Sequence, residues 1–321
     1  MKHCFILNPF AGKGQTALKL KEQIEQVCDE RQVDYEIYMT EGIGAATEYV
    51  RRRVAELAGE ELRFYACGGD GTLSEVVDGV MSADPSRAAV GLIPSGTGND
   101  FARNFTEPKL FFDMEAQVDA SELAIDVMRC NDRYAINMVN TGFDCEVVVK
   151  TAEMKKKSWV PLKMAYIAGL VATLVKKPGV FVKSLCRGEE SVENKQYLLV
   201  TCGKGCYYGG GFHSNPQANL TDGRLDSLLV KNISRTRFVT LVGDYKKGTH
   251  LTPKFEPYLT CQKTDGIDIV FDRPTNVSVD GEVIQYNELH VSLVEGGLRF
   301  LVPKGSAYNK ENLRKKEEAR A

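Results

Sequence analysis

A Gly-Gly-Asp-Gly turn at the end of an apolar run is the part of the sequence with the most specific chemistry. Residues 64–67 are apolar, the turn occupies 68–71, and Thr72 opens an amphipathic helical pattern. This order predicts a buried strand, a tight turn and a helix with Thr72 as N-cap and Glu75 as its capping-box partner. Backbone N–H groups in such a turn favour an anion such as phosphate. Asp70 could hold a bridging Mg²⁺ there, or it could be an ordinary turn aspartate satisfied by its neighbours.

Three further loops follow predicted strands in the same way. A second strand-turn-helix pattern spans 88–103, at a separation typical of one βαβ repeat. A glycine-bearing loop follows the apolar residues 4–7, and it is not a P-loop because Lys13 lacks a following Ser or Thr. Thr40 follows a predicted strand at 35–39. Since all four loops leave the carboxyl ends of strands, we expect them to meet at one edge of a parallel sheet.

The elements that would position these loops form an α/β domain with helices on both faces of a parallel sheet. Its predicted strands are 4–7, 35–39, 62–67 and 88–93, and its first helices are 15–30 and 45–57. After residue 118 a hairpin around Asn131-Asp132 and two helices, 144–154 and 162–176, precede short strands separated by turn residues. Those strands are predicted at 197–201, 225–230, 258–261, 267–271, 276–279, 289–294 and 298–302. They favour a larger antiparallel β-sandwich domain.

We therefore predict a nucleotide-binding α/β domain at 1–120 and a β-sandwich domain at 121–303. The charged tail, 304–321, either packs back on the first domain or is a frayed end.

Together, the turns at 68–72 and 96–102 resemble the signature of the soluble diacylglycerol kinase and sphingosine kinase superfamily of lipid kinases. That signature is Gly-Gly-Asp-Gly-Thr followed by Gly-Thr-x-Asn-Asp-Phe-Ala, and nicotinamide-dinucleotide kinases share its first part. The resemblance implies a nucleotide domain paired with a β domain, ATP as co-substrate and Mg²⁺ as cofactor. The nucleotide-binding residues it implies are Asn8, Pro9, Phe10, Ala11, Gly12, Thr40, Gly68, Gly69, Asp70, Gly71, Thr72, Leu73, Ser74, Gly96 and Thr97.

The resemblance also assigns roles in the second domain. Glu282, in an Asp-Gly-Glu turn, matches the glutamate thought to accept the proton of the lipid hydroxyl, with Asp126 as the next candidate base. A loose transition state needs little base strength, so a carboxylate suffices. A structural Mg²⁺ in some members implies ligation by the carbonyls of Asn219 and Arg224 and the carboxylate of Asp222, with Asp126 nearby. Read without the family, these are ordinary Asp-Gly turns and a solvent-facing strand residue.

Composition limits the alternatives. The 321 residues carry a formal net charge of −2, so nothing suggests nucleic acid as a partner. Nine scattered cysteines and the absence of a secretory leader favour reduced thiols in a cytoplasm. No apolar run is long enough to span a bilayer, so we expect peripheral membrane contact. The basic residues 155–157 and Trp159 suit either an anionic bilayer surface or a solvated helix end. The sequence does not decide whether the protein forms a homodimer.

The function that fits best is an ATP-dependent lipid kinase converting diacylglycerol to phosphatidic acid for phospholipid synthesis. A nicotinamide-dinucleotide kinase is the alternative enzyme, but the turns at 99–101 and 280–282 argue against it. A non-catalytic nucleotide- or lipid-binding relative is a further alternative, which the intact Asp70 and Glu282 disfavour. The acceptor lipid stays open, since the family also phosphorylates sphingoid bases, ceramide, phosphatidylglycerol and undecaprenol.

Overall fold

A parallel sheet forms the first part of the molecule. The computed structural model describes residues 1–12, 15–96, 98–155, 169, 173 and 179–308. Strands β1 (Lys2–Leu7), β2 (Tyr35–Met39), β3 (Leu62–Gly68) and β4 (Ala88–Pro94) lie in the order β4-β3-β1-β2 and pair in parallel. Nearly every residue of β1, β3 and β4 is buried, as expected for strands covered on both faces.

Helices cover both faces of this sheet. Successive side chains of β1 point to opposite faces, so each can pack against a different set of helices. The helices are α1 (Gln15–Glu30), α2 (Ala45–Glu56), α3 (Asp70–Ser82) and α4 (Met114–Val118). Ile6 packs in one core cluster with Val50 of α2 and Val76 of α3. Phe5 packs in another with Ile24 of α1. The loops after the four strands therefore meet at one edge, between helices on either side.

The predicted capping box at Thr72 is wrong. Helix α3 begins at Asp70, and Gly69 is its N-cap, with no side-chain capping bond. Thr72 lies inside the first turn, where its hydroxyl accepts a hydrogen bond from Asn8 Nδ2 at 3.0 Å. The Glu75 carboxylate accepts from the Ala46 N–H of α2 at 3.2 Å. Because glycine serves as N-cap, both side chains are free to tie α3 to its neighbours.

The second part is antiparallel. It contains strands β5 (Ser121–Cys130), β6 (Arg133–Ala135), β7 (Met138–Gly142), β8 (Val180–Arg187), β9 (Glu190–Gly203), β10 (Leu225–Lys231), β11 (Leu259–Thr264), β12 (Gly266–Val279) and β13 (Glu282–Val302) and helices α5 (Phe143–Lys155) and α6 (Arg235–Lys247). The predicted hairpin around Asn131 is present, and that residue has φ +52. β9 and β12 each pair with both β7 and β8, so the strands curl around a second core. The predicted helix at 162–176 falls almost entirely outside the described residues.

Two predicted strand breaks are register shifts within longer strands. The segments 267–271 and 276–279 belong to one strand, β12, whose register shifts between Val270 and Thr275. Similarly, 289–294 and 298–302 belong to β13, whose pairing with β5 shifts between Val294 and Leu298. Proline and glycine in these segments mark irregularities that long strands tolerate, not strand ends.

Strand β13 joins the two parts. Its Arg299 and Phe300 pair in parallel with β4, while the same stretch pairs antiparallel with β5. The described strands thus form one hydrogen-bonded sheet. Residues 304–308 run back along the first part, where Lys304 N–H donates to the Ala116 carbonyl at 2.9 Å. Among the described residues, no helix has the length and apolar character needed to cross a membrane.

Candidate active site at the carboxyl edge of the sheet

The glycine-rich loops lock together at the sheet edge. The Gly68 carbonyl accepts hydrogen bonds from the N–H groups of Ser95 and Gly96, at 2.8 and 3.3 Å. A Cβ on Gly96 would lie 2.6 Å from the Gly69 Cα, and one on Gly68 would lie 2.2 Å from Thr72 Oγ1. Both turns therefore need glycine for close backbone approach.

The first loop completes this arrangement. Gly12 has φ +71, and a Cβ there would lie 2.8 Å from the Ser95 carbonyl oxygen. Asn8 Oδ1 accepts from the Phe10 N–H at 2.9 Å and thereby shapes the loop. Thr40 is buried after β2 and donates its N–H to the Leu7 carbonyl at 2.8 Å. The structure thus brings the predicted loops together, whereas Thr97 and Lys13 lie outside the described residues.

Asp70 connects the two glycine turns through its side chain. Its Oδ2 accepts the Asp100 N–H at 3.1 Å, and its Oδ1 accepts the Phe101 N–H at 3.3 Å. These donors open the 3₁₀ helix Phe101–Asn104. Each carboxylate oxygen has a second lone pair, so Asp70 can still accept a ligand contact.

Asp100 extends the acidic region toward the second part of the chain. Its side chain is buried, and its Oδ2 accepts the Gly210 N–H at 2.7 Å. Arg103 Nε lies 3.3 Å from Oδ1. Burial raises the pKa of Asp100, the Gly210 hydrogen bond opposes this, and the negative charge of Asp70 adds to the rise. Through this hydrogen bond, Asp100 holds the glycine-rich loop around Gly210 against the turns that follow β3 and β4.

The Asp280-Gly281 turn comes from the opposite side. It is a two-residue hairpin between β12 and β13, with φ +46 and +95, as in a type I′ turn. The Asp280 carboxylate accepts N–H groups of Ile136, Asn137 and Met138 at 2.8, 3.1 and 2.7 Å. Burial raises its pKa to about 6, although these hydrogen bonds oppose the shift. The turn is therefore fixed against the 136–138 segment.

Glu282, the first residue of β13, forms an ion pair with Arg133. The guanidinium donates to both carboxylate oxygens, at 3.3 and 2.7 Å. The Glu282 side chain is 38% exposed, and Arg133 Nε also lies 3.4 Å from the buried Asp78. Glu282 thus lies next to the fixed Asp280-Gly281 turn, held by Arg133, a partner that the sequence did not reveal.

A cavity of about 220 Å³ joins the two sides. Asp70, Asp100, Asp280 and Gly281 line its acidic end. Its remaining wall is mostly apolar and includes Phe143, Val147, Leu198, Phe238 and Leu241 from α5, β9 and α6. Residues from both parts of the chain therefore line one cavity.

One carboxyl lies among the apolar residues of this cavity. Asp144, in the first turn of α5, accepts a hydrogen bond from the Tyr245 hydroxyl. Its Oδ2 has no hydrogen-bond partner among the described residues. Burial raises the pKa of Asp144 to about 7. This group can therefore receive a hydrogen bond from a ligand in the cavity, or carry a proton itself near neutral pH.

Family models match both parts of the chain. The model of the diacylglycerol kinase catalytic domain matches residues 2–130, and that of the YegS C-terminal NAD kinase beta sandwich-like domain matches residues 137–302. The chain belongs to the diacylglycerol kinase and YegS family of lipid kinases. The predicted family resemblance is thereby confirmed.

Known proteins align with most of the length of this lipid kinase. A probable lipid kinase YegS-like protein of Chromohalobacter salexigens is 28% identical over 76% of this chain and 77% of its own length. A diacylglycerol kinase of Staphylococcus carnosus is 27% identical over 86% and 87%. The crystal structure of a diacylglycerol kinase from Bacillus anthracis has a TM-score of 0.67 at 20% identity and covers 94% of this chain and 97% of that one. The solved structure supports the fold.

The residues expected to bind a structural Mg²⁺ in this lipid kinase already have a cation among them. Lys204 Nζ contacts Asp126 Oδ2 at 2.8 Å, Asp222 Oδ1 at 2.9 Å and the Arg224 carbonyl at 2.7 Å. Asn219 was expected to contribute its main-chain carbonyl, and its side-chain Oδ1 accepts a hydrogen bond from the Tyr308 hydroxyl at 2.7 Å. The described residues contain no group of three or more His, Cys, Asp or Glu side chains arranged for a metal. The donor set therefore does not fit a metal ion while Lys204 is in place.

Several functional candidates were missed by sequence reasoning. Asp100 stood inside a recognised motif, but nothing indicated that it binds Gly210. Arg133, Asp144 and Lys204 carried no local signal, because their partners come from distant parts of the chain. The basic segment at 155–157 with Trp159, for which a membrane surface and a solvated helix end were both predicted, has no described side chains.

Proposed function

We propose that this lipid kinase transfers the γ-phosphate of ATP to a lipid hydroxyl, with diacylglycerol as acceptor and phosphatidic acid as product. The observation that carries the proposal is the single cavity whose acidic end lies at the glycine-rich turns and whose remainder is apolar. A nicotinamide dinucleotide has no apolar chain that could occupy the apolar part of the cavity, which argues against a nicotinamide-dinucleotide kinase.

The nucleotide is proposed to bind over the interlocked loops. The first N–H groups of α3 have no partners within the helix and point to where phosphates would lie. Asp70 lies beside them, and its charge also raises the pKa values of Asp100 and Asp280. That concentration of negative charge fits a cation brought in with the phosphates, which would supply most of its ligands. When bound, Mg²⁺ would neutralise charge on the phosphates during transfer.

The lipid is proposed to insert one chain into the apolar part of the cavity. At about 220 Å³ the cavity is smaller than the roughly 300–1,000 Å³ of sites that enclose a whole small ligand. Each buried methylene contributes about 0.8 kcal/mol, so one chain end suffices to hold the lipid. The rest of the molecule would stay in the bilayer, with the protein bound at the cytoplasmic membrane surface.

Glu282 is proposed as the general base. The lipid hydroxyl oxygen bonds to the γ-phosphorus, the bond from that phosphorus to the β,γ-bridging oxygen breaks, and the hydroxyl proton passes to Glu282. Arg133 keeps the carboxylate oriented, and the low demand for base strength allows a carboxylate held in this way to accept the proton. Asp280 fixes the adjoining turn through three N–H groups and so sets where Glu282 stands.

The test is transfer of labelled phosphate from ATP to acceptors in mixed micelles. Diacylglycerol, a sphingoid base, ceramide, phosphatidylglycerol, undecaprenol, NAD and no acceptor form the panel, and Asp70→Asn is the matched inactive control. We expect labelled phosphatidic acid from diacylglycerol, and at least a 100-fold loss in the control, since a charged partner at the transferring phosphate is removed. Labelling of another lipid would correct the acceptor. Labelling of NAD alone, or equal activity of the control, would refute the proposal.

A further inference from the structure

The buried ammonium group of Lys204 occupies the centre of an acidic cluster, defined here as Asp126, Asp222 and the Arg224 carbonyl. Lys204 has no exposed surface, and its three contacts measure 2.7 to 2.9 Å. An ammonium has three N–H donors and no acceptor, so each donor has one partner. The distances are those of charge-assisted hydrogen bonds, whereas Mg²⁺ would need oxygens at about 2.0–2.1 Å.

The remaining lone pairs of the acidic cluster are largely engaged. Asp126 also accepts the Gly223 N–H at 2.8 Å and the Gly296 N–H at 2.9 Å. The other oxygen of Asp222 accepts from Lys263 Nζ at 2.7 Å. Burial opposes ionisation of Asp222, but the hydrogen bonds from Lys263 and Lys204 hold its pKa below the ordinary value. The carboxylates are thus neutralised by lysines without any metal.

We propose that Lys204 is a built-in replacement for the structural divalent cation of the family, so that this protein binds no metal at the acidic cluster. A divalent ion there would share the same three oxygens with a second positive charge a few ångströms away. Coulomb repulsion in a buried, low-dielectric site would oppose that arrangement strongly. Either the ammonium or the metal can occupy the cluster, and the sequence supplies the ammonium.

The replacement also supports the candidate active site. The N–H groups of Lys204 and Gly205 donate to the Asn137 carbonyl at 3.0 and 3.1 Å. Asn137 in turn donates its own N–H to Asp280 at 3.1 Å. The lysine therefore ties the acidic cluster to the turn that carries Glu282. If the proposed kinase function holds, the divalent requirement of the enzyme reduces to that of its nucleotide.

Thermal unfolding of the nucleotide-free full chain in EDTA, MgCl₂ or CaCl₂ tests the replacement independently of the kinase function. We expect the Tm of the wild type to stay within about 1 °C across these conditions, because no metal binds the cluster. Lys204→Ala leaves the buried Asp126 carboxylate without its cation and Asp222 with Lys263 alone, and it should lower Tm by roughly 6–12 °C in EDTA. It also leaves room for an ion, so Mg²⁺ or Ca²⁺ should restore much of the loss.

Two further variants make the result specific. Lys204→Met removes the charge but keeps the stem in place, so it should be destabilised without a response to metal. Lys263→Ala removes the second lysine from Asp222 and also the 2.8 Å partner of the buried Asp226, so it should lower Tm as well, but without a response to metal because Lys204 still fills the cluster. A Lys204→Ala protein that stays as stable as wild type, or that gains nothing from metal, would overturn the proposal.

Metal analysis of wild-type protein, after gel filtration in metal-free buffer, decides the matter if the variants fail to fold. We expect less than a tenth of an equivalent of Mg²⁺ or Ca²⁺ per chain. About one equivalent that disappears in Asp222→Asn would show that the cluster binds metal despite Lys204 and would refute the replacement.

Discussion

At the scale of single residues, the ion pair between Glu282 and Arg133 is the contact on which the proposed proton transfer depends. Glu282→Gln keeps the size of the side chain and most of its hydrogen bonding, but it cannot take the proton. We expect kcat to fall about 10²–10⁴-fold while ATP binding stays unchanged. Since the lost ion pair is partly exposed, Tm should move by less than about 2 °C.

Glu288→Gln is the matched control, because Glu288 lies on the same strand with its side chain 60% exposed. Its steady-state kinetics should equal those of the parent. If Glu282→Gln keeps kcat within a few-fold of the parent, Glu282 is a structural turn residue. Asp280 would then be the next candidate base, because it lines the cavity, whereas Asp126 does not and is engaged by Lys204 and two N–H groups.

The buried carboxyl of Asp144 predicts a pH-dependent stability. Burial raises its pKa from 3.8 to about 7, so above pH 7 the folded state carries an ionised group that the unfolded chain solvates better. Its penalty is full above pH 7, declines as pH falls toward 3.8, and is absent below that value. Asp144→Asn should therefore raise Tm at pH 8, and the gain should disappear near pH 4.

Thermal melts of parent and variant across this pH range measure the difference directly. Asp265→Asn is the control, since that side chain is 82% exposed and its substitution should give no pH-dependent change. A constant Tm difference at all pH values would contradict the burial argument. A Tm gain of Asp144→Asn that grew toward low pH would also contradict it, because the predicted dependence on pH has the opposite sign.

How far the sequence predicts individual site residues depends on how local their partners are. Asp70 and the glycines could be found because their turn chemistry lies within five consecutive letters. Lys204 could not, since its partner Asp126 lies 78 positions away and a lone buried lysine has no sequence signature. Arg133 and Glu282 are 149 positions apart, so their ion pair also required the fold.

At the scale of elements, the turn after β4 is held by backbone contact with the turn after β3. Gly96→Ala would place a Cβ 2.6 Å from the Gly69 Cα, which forces the two turns apart. We expect kcat/KM for ATP to fall roughly 10–100-fold, because small displacements of positioning groups have effects of that size. The KM for the lipid should change by less than about two-fold, since the apolar wall lies elsewhere.

Gly243→Ala is the matched control. Gly243 lies in α6, where an added Cβ would meet no atom within 4 Å, and the substitution should leave both kinetic constants unchanged. Equal losses for ATP and lipid in Gly96→Ala would mean that the turn shapes the whole site and not the nucleotide part alone.

Elements with one strong pattern were predicted well, and those with mixed signals were not. The four parallel strands were found as short, largely apolar segments bounded by turns. β12 and β13 were split because Pro274 and Gly296 resemble strand ends, although long antiparallel strands absorb them as register shifts. Helix α6 was missed even though Ser234 caps its start and Gly248 its end, and those two signals could have revealed it.

At the scale of the whole molecule, β13 joins the two parts of the chain into one hydrogen-bonded sheet. Its central and terminal residues pair with β12, β5 and β4, so it spans from the Asp280-Gly281 turn to the parallel sheet. The core cluster around Phe300 contains residues from both sides of position 120. The division near that position remains a prediction, and the structure gives a physical reason to expect shared unfolding across it.

Phe300→Ala tests that expectation. Phe300 is fully buried, and its ring lies 5.0, 5.4 and 6.3 Å from those of Phe101, Phe105 and Phe111. Truncation should cost about 3–5 kcal/mol and lower Tm by roughly 5–10 °C. Because this side chain belongs to a core shared by both parts, calorimetry should still show one transition, coincident with the loss of circular dichroism. Phe112→Ala is the control. Phe112 follows Phe111 in the sequence but is 57% exposed, so its truncation should leave Tm nearly unchanged. Two separated transitions, of which only the lower moves in Phe300→Ala, would show that the parts unfold independently despite the shared strand.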